Sequence, residues 1–195
     1  MLKGSESPLP PLKARGKNPL IILVGRDGLL KRSLAHRTAR AYPDQCALVP
    51  SMTDRGPRLE DEEGEFEYVL TESIQTLLEQ DRVLESYHSA NGHLYARTSD
   101  TVSAALVDHI GIAILTAANA LRVRDAGFPC YLIHVRATGE TPSPALLRQL
   151  AAFNVVEDLV FAPNEPGFAT ALLRVNAFLN QFTRSIRTSR PPPPT

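Results

Sequence analysis

From residue 19 to residue 182, short apolar runs alternate with stretches in which apolar side chains recur every three or four positions. The runs at 20–24, 46–49, 112–115, 130–135 and 159–161 are short and nearly free of polar residues, as expected of strands covered on both faces. Helical periodicity marks 29–41, 101–109, 118–125, 144–153 and 169–182, the last with Leu172, Val175, Leu179 and Phe182 on one side. Strand and helix in alternation predict a parallel sheet with helices on both faces. Residues 51–97 break the rhythm. A turn-rich start, an acidic run, the alternation Phe66/Tyr68/Leu70 and a short helix at 72–79 predict an inserted antiparallel lobe.

Composition narrows the function without assigning one. The chain has 195 residues, 43% apolar and 22% charged, with a net charge of zero. That length suits one buried domain, and a neutral chain does not suit binding nucleic acid through its overall charge. The longest apolar stretch, 110–118, is too short to span a bilayer. With no secretory leader at the start, the expected setting is cytoplasmic, or peripheral at a membrane or cell junction through partners. Cys46 and Cys130 fall inside predicted strands and read as core residues. Residues 1–18 read as a flexible leader. Residues 184–195, with three arginines and prolines from Pro191 through Pro194, read as a disordered tail that could dock on an SH3 or WW groove.

Candidate chemistry starts at Gly25-Arg26-Asp27-Gly28-Leu29-Leu30-Lys31-Arg32-Ser33, directly after the first strand. This is the outline of a phosphate-binding loop, with Gly25, Gly28, Lys31 and Ser33 as its remaining parts. The full pattern needs Gly before Lys and Ser or Thr after it; here those places hold Leu30 and Arg32. Further on, Ser51-Met52-Thr53-Asp54-Arg55-Gly56-Pro57-Arg58 puts a hydroxyl and two guanidiniums on one turn, suited to gripping phosphate oxygens. The acidic run from Glu60 to Glu63, with Glu65 and Glu67, reads as an exposed hairpin surface; folded over the arginines, it would compete with a phosphate. The five histidines show neither metal-ligand spacing nor a neighbouring nucleophile motif, and read as core or surface residues.

These motifs, in this order, resemble those of guanylate kinase-like domains. The resemblance rests on the Gly-x-x-Gly-x-x-Lys loop, Ser-x-Thr-x-Arg-x-Pro-Arg, Glu67-Tyr68, Leu84-Glu85, Gly92-His93-Leu94-Tyr95 and Ala118-Asn119-Ala120-Leu121. The last two look most like the membrane-associated guanylate kinase homologues, which are scaffold proteins. The resemblance implies a domain at 19–183 with a P-loop-type fold and a GMP-binding-type lobe at about 51–97. It further implies that Ser51, Arg55, Arg58, Tyr68 and Tyr95 hold a phosphate and that Glu85 reads guanine.

The chain departs from the catalytic pattern in several places. Besides Leu30 and Arg32, Leu115-Thr116-Ala117 carries no carboxylate where the kinases have one, and Ala96 replaces a glycine. The lid segment offers only Arg148, with Arg136 at its edge. Phosphoryl transfer depends on positioned cations. The expectation is therefore a catalytically degenerate scaffold domain, without catalytic residues, cofactor or metal, that binds a phosphorylated or acidic peptide at the former GMP site. The alternative is an active kinase converting GMP with ATP and Mg²⁺.

Overall fold

The computed structural model describes residues 18–153 and 155–188. Its elements, in chain order, are β1 (Leu20–Val24), α1 (Gly28–Ala41), β2 (Cys46–Leu48), β3 (Ser51–Thr53), β4 (Phe66–Tyr68), α2 (Thr71–Glu79), β5 (Val83–His88), β6 (Leu94–Thr98), α3 (Ser99–Ala105), β7 (Ile110–Ile114), α4 (Ala117–Asp125), β8 (Cys130–Ala137), α5 (Pro144–Leu150), β9 (Val155–Phe161) and α6 (Glu165–Thr188). The first 17 residues of the expected leader and the prolines of the tail lie outside the described residues, and so does the side chain of Phe182. Helix α6 runs on to Thr188, past the expected start of the tail.

Five strands form a parallel sheet in the order β2-β7-β1-β8-β9. Every residue of central strand β1 is buried, and its side chains divide between the two faces. Ile21 and Leu23 join Leu34 of α1 and Val175 and Leu179 of α6 in one core. Leu20, Ile22 and Val24 join Val102 and Leu106, Ala120 and Val123 of α4, and Leu150 of α5 in the other. Both free cysteines belong to this sheet, and burial pushes the Cys46 thiol up to about 12. From β1 the chain crosses to β2 on one side, and from β7 it crosses past β1 to β8 on the other, so the crevice beyond the carboxyl end of β1 lies at the reversal of strand order where a doubly wound sheet offers a ligand site.

The inserted lobe is a four-stranded sheet in the order β4-β3-β6-β5. It is mixed rather than wholly antiparallel, because β3 pairs with β4 in parallel and with β6 antiparallel. Alternation along the strands separates two faces. Met52, Leu94 and Ala96 pack on Ile74 of α2. The opposite face carries a row in register, Tyr68, Thr53, Tyr95 and Tyr87, with Glu85 directly opposite Arg97 beside it.

Candidate functional site

A cavity of about 280 Å³ lies between lobe and core, lined among others by Gly28, Ser51, Arg55, Arg58, Tyr95 and Arg97. Arg55 is buried there. Its Nε donates to the Tyr95 hydroxyl at 2.8 Å, and its guanidinium lies over the Phe66 ring at 4.4 Å.

The acidic run forms only in part the exposed surface that composition suggested: Glu60, Glu63 and Glu67 are exposed, while Asp61, Glu62 and Glu65 are partly buried. Asp61 folds back, and its carboxylate is only 6% exposed. Arg55 donates to both its oxygens, Nη1 to Oδ2 and Nη2 to Oδ1, each at 2.7 Å. The Tyr68 hydroxyl donates to Oδ2 at 2.6 Å, and the Arg58 backbone N–H donates to the same atom at 2.8 Å. Arg32 of α1 reaches Oδ1 at 3.3 Å and Glu65 at 2.6 Å. The Arg55 hydrogen bonds hold the Asp61 carboxyl far below the usual carboxylate range, against the opposing effect of desolvation. Arg58 takes part through its backbone; its guanidinium stands 3.9 Å from Glu60.

Ser51 and Glu85 are buried on the same lobe face. Ser51 Oγ turns toward the backbone oxygens of Met52 and Ala96, each at 3.4 Å. The Glu85 carboxylate is not a solvated strand end. Its side chain is 0% exposed, with Arg97 Nη1 at 2.5 Å from Oε1 and Asn119 Nδ2 of α4 at 2.7 Å from Oε2. Both oxygens therefore have internal partners.

The loop after β1 contains only Gly25, Arg26 and Asp27, because α1 already begins at Gly28. Asp27 caps that helix, its carboxylate accepting from Leu30 N–H at 2.9 Å. A carboxylate thus occupies the end of the helix where an anion would otherwise meet free N–H groups. Lys31 is buried, and its ammonium donates to Gly25 O at 2.5 Å. Desolvation lowers its pKa, while Asp27 and Glu140 pull it back up. Ser33 lies half-buried on α1. Arg136, at the edge of the lid segment, is paired with Asp158 of β9.

Sequence reasoning missed Asp61, Arg32, Arg97 and Asn119 as parts of this site. The one signal available was the closeness of the acidic run to Arg55 and Arg58. The histidines do find acids, though far along the chain: His36 meets Glu62 and Glu65, His93 meets Asp54, and His134 meets Asp158. Among the described residues no cluster of three or more His, Cys, Asp or Glu side chains is placed to hold a metal.

A guanylate kinase from Anaplasma phagocytophilum superimposes with a TM-score of 0.56 at 13% identity, over 87% of this chain and 88% of that one. The chain has a guanylate kinase-like fold. A gluconokinase from Sinorhizobium meliloti 1021 gives a TM-score of 0.40 at 14% identity, over 91% of this chain and all of that one. No protein-family model matches the chain, and no curated protein matches it. No described helix is long and apolar enough to cross a membrane.

Proposed function

We propose that this guanylate kinase-like domain transfers no phosphate and binds a phosphorylated or acidic peptide through Arg55, Tyr68 and Tyr95. One observation carries the reading. The Asp61 carboxylate sits in a fork-and-hydroxyl cradle whose donors, from Arg55, Tyr68 and the Arg58 backbone, converge on one two-oxygen anion. A phosphate or a partner's carboxylate presents the same oxygens, and charge-assisted two-pronged contacts with arginine are among the stronger hydrogen bonds. In the free chain Asp61 is the competitor, and a ligand enters by displacing it.

The reasons against transfer lie in and beside the loop after β1. Lys31 is committed to Gly25 O, Asp27 puts a negative charge at the start of α1, and Arg136 is committed to Asp158. Transfer depends on cations held around the moving phosphoryl group. Incubated with GMP, ATP and Mg²⁺, the purified chain is expected to release no ADP. Turnover that disappears in Lys31→Ala would establish an active kinase instead. For binding, Arg55→Ala should abolish association with a phosphorylated peptide, and unchanged affinity would remove the clamp.

The occupied clamp also favours a second reading, in which Arg55 and Asp61 are an internal strut and the cleft takes no ligand. Asp61→Asn separates the two. Stronger phosphate binding supports the clamp; lower stability with no phosphate binding supports the strut.

A further inference from the structure

The cavity behind the clamp is poorly matched to guanine. Guanine offers N–H donors along its pairing edge, including the exocyclic amine, and needs a free acceptor to meet them. The carboxylate that the resemblance assigns to this task is Glu85, whose side chain has no exposure and is enclosed with Arg97 and Asn119. Opening that arrangement would strand a buried charge, a large penalty.

What the cavity does present is apolar and aromatic surface beside the cations. Leu48, Val49, Ile112 and Ile114 line it together with Phe66 and Tyr87. Tyr87 stacks on Tyr95 with centroids 4.9 Å apart and planes 7° from parallel. The Tyr95 hydroxyl is itself bonded to Arg55, so the ring wall runs directly up to the anion clamp. A ligand whose phosphate replaces the Asp61 carboxylate would lay its next group along these rings. An aromatic group gains both burial and ring–ring contact there. A serine-sized stem leaves the apolar lining uncovered, and guanine brings donors that the fully enclosed Glu85 carboxylate is not placed to meet.

Building on the clamp reading above, we propose that the cavity is a receptor for an aryl phosphate, phosphotyrosine being the form a peptide would carry, rather than for a guanine nucleotide or phosphoserine. The test is calorimetric titration of the full chain and of Asp61→Asn with inorganic phosphate, phenyl phosphate, GMP, and one peptide carrying either phosphotyrosine or phosphoserine. Phenyl phosphate should bind about tenfold more tightly than inorganic phosphate and more tightly than GMP, with the phosphotyrosine peptide ahead of its phosphoserine twin. Tyr87→Ala should erase the aryl advantage and leave inorganic phosphate binding in place, which also shows that the variant is folded. If phenyl phosphate gains less than twofold over inorganic phosphate, or GMP binds more tightly, aryl recognition is wrong while the clamp stands. If the phosphotyrosine peptide binds no better than its twin while phenyl phosphate keeps its advantage, the peptide form is wrong and a free aryl phosphate is left as the ligand. If no phosphate species binds either protein, both proposals fail.

Discussion

Asp61 is where the charges of the cleft meet, and its titration follows from its partners. Arg55 holds its carboxyl well below the ordinary value, which is near 4. A depressed folded-state pKa contributes stability that is fully present above the unfolded value and is lost as pH falls below it. Asp61→Asn should therefore lower the unfolding free energy at pH 7 by about 2 kcal/mol, from weakened charged hydrogen bonds. The gap between variant and wild type should close as pH drops below about 4. Denaturation at a series of pH values measures it, and a gap independent of pH would mean that the ion pair carries no net stability. The role of Asp61 could not be read from the sequence, because six acids within eight residues look like a solvated surface. Where such a run folds is decided by the partners waiting for it, here Arg55, Tyr68 and Arg32. Ser51, Tyr68, Glu85 and Tyr95 were legible as a group through the family resemblance alone; that they share one face of the lobe sheet is a matter of strand register.

At the scale of elements, the strand runs of the core were plain because parallel strands buried on both faces have almost no polar residues. Strand β9 hid its first half. Glu157 and Asp158 look like loop residues, yet on an edge strand they pair with Arg174 and Arg136. Helix α6 began early for a similar reason. Pro166 and Gly167 read as breakers, but proline is tolerated in a first turn, and the Asn164 side chain caps the Gly167 N–H at 2.9 Å. Gly25 illustrates an element-level constraint. It has φ +151°, and an added Cβ would come within 2.0 Å of the Val135 carbonyl oxygen on β8. Gly25→Ala should destabilise the chain by roughly 3 kcal/mol through this clash, as measured by denaturant unfolding. A change below about 0.5 kcal/mol, the usual range for innocuous substitutions, would show that the loop can shift aside. The glycine thus answers to the packing of two strands, whatever else the loop does.

Across the whole molecule, lobe and core are joined by side chains that reach from one to the other. Arg32 on α1 holds Glu60 O, Asp61 and Glu65 in the acidic loop, and His36 adds Glu62. Replacing Arg32 with Ala should speed amide hydrogen exchange across residues 59–65 by about tenfold and leave β1, β7 and β8 unchanged, since local opening reports local contacts. Uniform acceleration over the whole chain would instead mean that the loop and the sheet open together.

The Glu85–Arg97–Asn119 group bears on the binding proposed above. It pins β5 and β6 to α4 through a carboxylate with no exposure to solvent. Many nucleotide-handling proteins close around their cargo after it arrives, and a hinge needs an interface that can slide. Here three side chains bond across that interface, and a cleft held this way would meet the proposed ligand largely preformed. Apart from the small strap bearing Asp61, its capture rate would be set by how often a partner collides in the right pose.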